Sequence, residues 1–435
     1  MVAFERAAVP QSDRGKRIKQ RDYLPEGRIP VIDQGQSHIG GYTNDDDFAF
    51  DGELPVVLFG DHTRAVKLVD HRFAVGADGV KIFRPADGVR AKYLYYWMKS
   101  ARLPDRGYGR HYQFLRQLSL PMPEPTRQDD IVAEIEKQVS RVDETVGNLK
   151  RVKANIERYK ASVLKAAVEG QLVPIEAELA RREGRSFESG EQLFGRMFAE
   201  RRAAWDEKAA TTGRNRKYVE PRPPEVANLP VLPKGWAWAT LGQLAWSVRD
   251  GPHYSPKYVD QGIPFITGGQ VRPEGIDFST AKFISPELHG ELSRRCKPEL
   301  GDMLYTKGGT TGIARVNTDG REFNVWVHVA VLKLVPSIHR FYLQHALNSP
   351  HCFRQAKRYT HGVGNQDLGL TRMVWITVPL PPLVEQERIV SEIDRCLSIT
   401  AEIGRELRTE LQRAERLRHA ILARAFHENL GARLV

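Results

Sequence analysis

The sequence is poor in the features that mark secreted, membrane-spanning or metal-binding proteins. Its 435 residues include only three cysteines, Cys296, Cys352 and Cys396, and no C-x-x-C pair, which argues against a disulfide framework or a zinc site. No run of 18 apolar residues occurs, and the N-terminus lacks the apolar core of a signal peptide. We therefore expect a soluble, cytoplasmic protein whose thiols are buried.

Motifs of catalysis are also missing. The chain has no H-E-x-x-H metal pair, no G-x-x-x-x-G-K-[ST] phosphate loop and no G-x-S-x-G elbow. It also lacks the [D/N]-P-P-[Y/F/W] tetrad of adenine methyltransferases and the P-D…[D/E]-x-K cluster of nucleases. KGGTTG at 307–312 has the glycines of a phosphate cradle but not the lysine and hydroxyl that end one. The sequence therefore predicts a chain that is not an enzyme.

The most informative feature present is a long internal repeat. Residues 128–169 and 386–427 align without a gap at an offset of 258 and share the pattern I-V-x-E-I. Apolar residues three and four apart predict two long helices with heptad seams, which should pack on each other as a coiled coil. The seam positions predicted to make this contact are Ile131, Ile135, Val142, Leu149, Ile156, Ile389, Ile393, Leu407, Leu417 and Ile421.

Each long helix follows a segment that mixes strand and helix patterns, and these segments also correspond. Three stretches of the first have counterparts in the second: 29–36 with 263–270, 56–69 with 303–316, and 93–100 with 342–349. A two-part unit has therefore been duplicated. The predicted fold class is α+β, with two mixed α/β domains separated by a pair of long coiled-coil helices. Antiparallel pairing would place the domains at opposite ends and give pseudo-two-fold symmetry, but the connection is long enough to span a parallel pair as well. The predicted segments are the first domain 1–125, the first long helix 126–170, a helical, charged and proline-rich connection 171–231 with a mobile linker, the second domain 232–383 and the second long helix 384–428.

Positive charge is concentrated in the two mixed domains. Of the net charge of +11, residues 1–127 carry +4 and residues 233–385 carry +5, which is typical of a polyanion-binding surface. Arg, Asn and Gln can pair with base edges, and glycines permit close backbone approach to a ligand. The candidate DNA-binding residues are Arg64, Arg110, His111, Gln113, Lys307, Thr310, Thr311, His361, Asn365 and Gln366. Ordinary surface loops and a simple hairpin turn are the competing interpretations.

Three motifs give the chain a family resemblance. L-P-x-G-W-x-W-x-x-L-G occupies 232–242, P-L-P-P-L-x-E-Q-x-R-I-V occupies 379–390, and S-V-L-K-A-A-V-E-G-Q-L-V-P occupies 162–174. With these motifs the chain resembles the specificity subunit of a type I restriction-modification system. Two departures lie in the first half, which lacks the W-x-W-x-x-L-G opening and has residues 123–126 in place of P-P-L-x-E.

The resemblance implies a non-catalytic subunit with two target-recognition domains. It would recognise a bipartite double-stranded DNA target, one half per domain, and bind two modification subunits that methylate adenine, together with restriction and translocase subunits. S-adenosylmethionine, ATP and Mg²⁺ would belong to those partners. A helix of about 63 Å is long enough to set a half-site separation of about 34 to 36 Å. The alternatives are a single-chain DNA methyltransferase or nuclease, and a coiled-coil adaptor that does not bind DNA.

Overall fold

The computed structural model of the protein describes residues 1–104, 107, 109–212, 217–362 and 366–427. Contacts divide the chain into two compact units. Unit 1 combines Met1–Val152 with the chain from Glu406 onward, and unit 2 comprises Lys153–Arg405. The two long helices therefore each contribute to both units. These units group residues by their contacts, whereas the five predicted segments follow one another along the sequence. The segment bounds therefore stay a prediction.

Unit 1 contains two four-stranded sheets with short helices beside them. One sheet is antiparallel throughout, in the order β2-β9-β6-β7, and the other has the order β3-β8-β4-β5 with β8 parallel to both neighbours. The elements are β1 Val2–Ala3, α1 Phe4–Ala7, β2 Ala8–Gln11, β3 Arg17–Ile18, β4 Ile29–Ile32, β5 Gly41–Thr43, β6 Val56–Gly60, β7 Val66–Val69, β8 Ala74–Gly76, β9 Val80–Pro85, α2 Ala91–Ser100, α3 Tyr112–Leu115 and β10 Ser119–Leu120.

The core of unit 1 forms where α2 covers the antiparallel sheet. Tyr93 and Trp97 recur four residues apart on α2, so they share one helix face, and both are buried. The ring of Phe4 stacks on Trp97 at 5.7 Å and meets Phe83 of β9 edge-on at 5.2 Å. Aromatic burial of this kind fixes the N-terminal residues onto the domain.

Four helices lie outside the mixed domains: the two long helices and two helices in the connection between the first long helix and the second domain. Their bounds are α4 Pro125–Val168, α5 Glu176–Glu183, α6 Gly190–Thr212 and α12 Leu383–His427. The other elements of unit 2 are β11 Ala237–Thr240, α7 Leu241–Leu244, β12 Ala245–Asp250, β13 Ile263–Ile266, β14 Val271–Arg272, β15 Gly275–Ile276, β16 Lys282–Ile284, α8 Pro286–Ser293, β17 Met303–Thr306, β18 Ala314–Val316, β19 Asn324–Val325, β20 Val329–Leu334, α9 Arg340–Leu347, α10 Pro350–Tyr359, α11 Leu370–Met373 and β21 Thr377–Leu380.

Unit 2 repeats the topology of unit 1. Its sheet β12-β20-β17-β18 matches β2-β9-β6-β7, and the parallel pair β13 and β19 matches β4 and β8. The antiparallel pair β11 and β21 matches β1 and β10. The predicted duplication is confirmed in the fold. The first domain keeps the opening strand that its sequence pattern lacks, shortened to two residues.

Each unit contains an antiparallel pairing of α4 with α12. In unit 1, Arg418 pairs with Asp143, while Phe426 contacts Tyr93, whose hydroxyl donates to the Pro121 carbonyl shortly before α4 begins. In unit 2, the Tyr159 hydroxyl lies 3.5 Å from Cys396 Sγ. Tyr159 is near the end of α4 and Cys396 is near the start of α12, so the two helices run in opposite directions. The predicted coiled-coil pair is confirmed in its antiparallel form.

Most of the residues predicted for the seam are buried or half-buried, and one is exposed. Six of its residues are buried: Ile131, Ile135, Val142, Ile389, Ile393 and Leu407. Leu149, Ile156 and Ile421 are half-buried. Leu417 is 51% exposed, and Ala414 and Leu422 are buried instead. A straight helix drifts about 20° per heptad from a strict seven-residue pattern, and Leu417 lies four heptads after Ile389.

The connection is more ordered than its composition predicts. Residues 217–231 bind the second domain, since the Trp238 indole donates to the Pro230 carbonyl at 3.2 Å and the Thr240 hydroxyl donates to the Arg222 carbonyl at 3.0 Å. The Arg222 guanidinium also lies 5.5 Å from the centre of the Trp375 ring. The expectation of a mobile linker is therefore wrong for these residues; residues 213–216 lie outside the described ranges.

Nothing among the described helices combines the length and the apolar character needed to cross a bilayer.

Candidate nucleic-acid interface

In unit 2, the turn between β17 and β18 is attached to two other loops by a buried lysine. Lys307 is 2% exposed. Its Nζ lies 3.0 Å from Oδ1 of Asp367, in the segment before α11, and 3.4 Å from Oδ2 of Asp250, at the end of β12. The backbone N–H of Leu368 donates to the Lys307 carbonyl at 2.8 Å. Three loops from distant parts of the chain therefore meet here.

Lys307 was predicted to bind DNA, and the structure places its side chain inside this group of loops. An ammonium held between two carboxylates and shielded from water is not placed to contact a phosphate. Its side chain instead fixes the loops around it. The sequence signal, a lysine beside glycines, is the same for either role, because the acidic partners lie 57 residues earlier and 60 residues later.

The other predicted residues of unit 2 lie at the outer ends of these loops. Thr310 is exposed, and its hydroxyl donates to the Gly268 carbonyl at 3.3 Å. Thr311 is half-buried on the same turn. His361 is exposed, and it pairs with Asp367 through backbone hydrogen bonds of 3.0 and 3.2 Å. Gln366 is exposed beside that pair, and Asn365 lies outside the described residues. The fold thus brings residues about 50 apart in sequence to one group of loops.

Unit 1 builds the equivalent corner from its β6–β7 turn. The Asp61 carboxylate is buried and accepts a hydrogen bond of 2.8 Å from the Tyr112 N–H. The Thr63 hydroxyl donates to the Gln34 carbonyl, as Thr310 does to that of Gly268. The turn is therefore attached both to the loop after β4 and to the segment before α3.

Three predicted residues are exposed at this corner of unit 1. Arg64 lies on the turn itself, with a φ of 60°. Arg110 and Gln113 lie on the segment that is bonded to the turn, and the Gln113 amide donates to the Arg110 carbonyl at 3.1 Å. The two arginines and the glutamine supply hydrogen-bond donors suited to phosphates and base edges.

His111 is placed differently from its prediction. Its side chain is 0% exposed, with Nδ1 lying 3.0 Å from the Asp61 carbonyl oxygen. Its Nε2 has no hydrogen-bond partner among the described residues. A ring enclosed in this way does not contact a duplex, so His111 supports the corner from inside. The surrounding arginine and glutamine residues made the whole stretch look exposed in sequence.

A buried glutamine joins each domain to its long helix, and this role was not predicted. Both Gln128 and Gln386 are 0% exposed. The Gln128 amide donates to the Pro123 carbonyl at 2.9 Å and accepts from the Arg90 N–H at 2.9 Å. The Gln386 amide makes the same pair of bonds, to the Pro381 carbonyl at 2.8 Å and from the His339 N–H at 3.1 Å. The signal was present, because these two glutamines begin the repeat.

In the second domain, the tryptophan motif at 232–242 contacts the proline motif at 379–390. The Trp236 indole donates to Oε1 of Glu385 at 3.0 Å, and Oε2 accepts from the Glu176 N–H at 2.9 Å. Glu385 is 0% exposed, and this burial raises its pKa. The first domain has Arg127 at the position of Glu385 and no tryptophan in its opening. The first domain therefore lacks both partners of this hydrogen bond.

The comparisons with known proteins agree with this geometry. Residues 233–413 match the type I restriction modification DNA specificity domain. The specificity subunit of the Escherichia coli type I restriction enzyme EcoR124I/EcoR124II is 28% identical over 131 residues, which are 29% of this chain and 32% of that protein. The EcoBI specificity subunit of Escherichia coli is 26% identical over 234 residues, which are 52% of this chain and 49% of that protein.

These similarities support the interpretation of the chain as a specificity subunit of a type I restriction-modification system. The chain spans between a third and a half of the length of these two curated relatives. A chain from a structural study of assembly and conformational transition in the type I R-M system has the same fold, with a TM-score of 0.56 and 16% identity over 98% of this chain and 96% of that one.

Members of this family are non-catalytic subunits that recognise DNA. Among the described residues, no three His, Cys, Asp or Glu side chains are grouped as ligands of a metal ion. The candidate site of this specificity subunit is therefore a pair of loop corners, one in each unit.

Proposed function

We propose that this specificity subunit reads a bipartite DNA target, with one half-site at each loop corner. The observation that carries the proposal is the duplicated topology. The same turn is attached to the same neighbouring loops in both units, yet it presents different side chains in each. One scaffold with two differently equipped surfaces suits the recognition of two unlike half-sites.

The proposed contacts of unit 1 are Arg64, Arg110 and Gln113. Those of unit 2 are Thr310, Thr311, His361 and Gln366, together with Asn365, which precedes Gln366 in the sequence. Phosphate contacts set the position of a protein on DNA, while base-edge contacts carry the sequence information. The arginines and glutamines can make either kind, and the threonine hydroxyls can donate or accept.

We also propose that the long helices hold two modification subunits and set the spacing between half-sites. Apolar side chains remain exposed on both helices: Val152 by 41%, Tyr159 by 48%, Ile399 by 48% and Leu417 by 51%. Such side chains suit contact with partner subunits. A helix of 44 residues has a length of about 66 Å, which exceeds the half-site separation of about 34 to 36 Å.

In this proposal the methyl transfer to adenine and the cleavage of DNA are performed by the partners. Those subunits would bind S-adenosylmethionine, ATP and Mg²⁺. This chain would choose the site and orient the complex on it.

The test is methylation-site sequencing of DNA from cells that carry this gene with its neighbouring genes. The expected result is one bipartite adenine motif. Exchanging residues 1–125 for the corresponding domain of another family member should then change one half of the motif and leave the other unchanged. A continuous motif, or a change in both halves, would contradict the assignment of one half-site to each domain.

Two measurements separate the alternatives. A coiled-coil adaptor predicts that the assembled complex binds DNA equally well with and without this chain. A single-chain methyltransferase predicts methylation of DNA by the purified chain with S-adenosylmethionine alone.

A further inference from the structure

Helix α10 of unit 2 is held firmly by one face. Cys352 and Ala356 are buried beneath it. The Gln355 amide donates to the Thr377 carbonyl at 2.9 Å and accepts from the Thr377 N–H at 2.9 Å, which ties the helix to β21. Because these contacts fix the rotation of the helix about its axis, they also fix which residues point outward.

The outward face of α10 is basic. Arg354, Lys357 and Arg358 are exposed, and Phe353 is 36% exposed beside them. The helix contains no acidic residue, and none of its three cations pairs with a carboxylate in the part of the chain that the structure describes. The Lys357 ammonium lies 4.8 Å from the centre of the Phe353 ring. Three cations without acidic partners on a fixed surface suit an anionic ligand.

This face continues directly into the loop corner of unit 2. A Cβ atom added to Gly312, on the β17–β18 turn, would lie 2.9 Å from Cδ2 of Phe353, so the turn packs against the middle of the helix. At its C-terminal end, the Arg372 guanidinium donates to the carbonyls of Tyr359 and Asp367, both at 2.9 Å. The end of α10 is thereby bound to the segment that pairs with His361.

The helix lies in a part of the repeat where the two units differ. The connection from α9 to α11 comprises 348–369, whereas the connection from α2 to α3 comprises 101–111. The described residues of the shorter connection include no helix. Among the described residues, the helix that carries this basic face is therefore present in unit 2 only.

We propose that the outward face of α10 binds the phosphate backbone of the duplex beside the half-site read by unit 2. This inference rests on the proposed DNA-reading function and names a surface that unit 1 does not share. A duplex that reaches Thr310 and His361 has its backbone next to a surface that packs against both loops. Phosphate contacts of this kind would add affinity and fix register without adding base discrimination.

The test compares two pairs of basic residues on different helices. The two residues of each pair are consecutive in sequence and lie in the last turn of their helix. Lys357→Gln/Arg358→Gln removes two charges from α10, and Arg181→Gln/Arg182→Gln removes two from α5. All four side chains are exposed. The full chain is assembled with its modification subunits, and its affinity for a short random-sequence duplex is measured across a series of salt concentrations.

Each lost phosphate contact lowers the slope of log affinity against log salt by about 0.9. The α10 pair should therefore reduce the slope by about 2, while the α5 pair leaves it unchanged and the methylated motif stays the same in both. An unchanged slope in the α10 pair, or an equal loss in the α5 pair, would overturn the inference. Loss of assembly with the modification subunits in the α10 pair alone would also overturn it, because the face would then bind protein.

The unsubstituted complex distinguishes this failure from failure of the proposed function. If it binds the duplex with normal salt dependence and the α10 pair behaves identically, only the role of α10 is wrong. If it shows no salt-sensitive binding to DNA, the DNA-reading function itself is wrong. The melting temperature of each variant is measured so that a folding defect is recognised directly.

Discussion

Arg64→Gly should weaken DNA binding while it relieves strain in the backbone. Arg64 has a φ of 60°, a left-handed conformation that costs a residue with a Cβ about 1 to 2 kcal/mol. The β17–β18 turn of unit 2 has glycines at its own left-handed positions, Gly309 and Gly312. Glycine at position 64 removes this strain, while its greater freedom in the unfolded chain costs about 0.5 to 1 kcal/mol. These two backbone terms alone would leave the free energy of unfolding unchanged or higher by about 1 kcal/mol; the contact that the Arg64 side chain makes within the chain is lost as well and lowers this sum.

The matched control is Arg14→Gly. Arg14 also has a left-handed backbone, with a φ of 51°, and its side chain pairs with Asp51 at 3.0 Å while 72% exposed. Both variants lose one positive charge and relieve the same kind of backbone strain. They differ in that Arg64 lies on the β6–β7 turn, at the corner proposed to read DNA.

Chemical denaturation and DNA binding by the assembled complex are measured for both variants. Loss of a bidentate base contact costs about 1 to 3 kcal/mol, so Arg64→Gly should reduce affinity for the methylated motif by about 5- to 150-fold. Arg14→Gly should bind like the unsubstituted complex. Equal affinity losses in the two variants would mean that net charge explains the effect, and unchanged affinity in Arg64→Gly would remove this residue from the interface.

Three further predictions concern the buried contacts and the helices. Lys307→Ala should lower the free energy of unfolding by about 1 to 3 kcal/mol, because the buried Asp250 loses one of its cations while it keeps Arg295 at 3.0 Å, and Asp367 is partly exposed; a folded, fully stable variant with weakened DNA binding would mean that the ammonium reaches solvent. Glu385→Gln should cost about 1 to 3 kcal/mol, since an amide oxygen replaces two acceptors and one of the N–H groups of Trp236 and Glu176 is left unpaired. Trp236→Phe should lower the free energy of unfolding less in the Glu385→Gln variant than in the unsubstituted protein. Additive losses in that double-mutant cycle would contradict the pairing. Deleting seven residues from each long helix at paired levels removes about 10 Å, so methylation-site sequencing should find a shorter gap between half-sites or no methylation, and an unchanged gap would show that the helices do not set the spacing.

Glu385 also gives the unfolding free energy a pH dependence. Its pKa in the folded protein is raised by burial, so the folded state holds this proton more tightly than the unfolded chain does. The resulting penalty is absent below the ordinary glutamate pKa and grows as pH rises through the raised value. Glu176, whose N–H donates to Glu385, has a lowered pKa because its interactions with Arg185 and Arg388 outweigh the effect of burial. The contribution of Glu176 to the free energy of unfolding is lost as pH falls. Glu385→Gln should remove only the first of these two terms, which denaturation at a series of pH values would reveal.

Features that depend on local pattern could be predicted before the fold was known. Apolar spacing located α4 and α12 to within a few residues, and the repeat predicted two domains of one topology. Net charge placed the positive excess in the domains, and the motifs around Trp236 and Glu385 carried the family resemblance. These signals are readable because periodicity, composition and short motifs are properties of neighbouring residues.

Which candidate residues are exposed became known only from the folded chain. Lys307 and His111 have the same sequence surroundings as exposed donors, yet both are enclosed by residues from distant elements. The antiparallel direction of the helices within each unit was likewise decided by contacts such as that of Arg418 with Asp143, and Leu417 left the seam because a straight helix does not keep a seven-residue period. Burial and hydrogen-bond partners depend on parts of the chain that are remote in sequence, and for that reason spacing alone could not assign them.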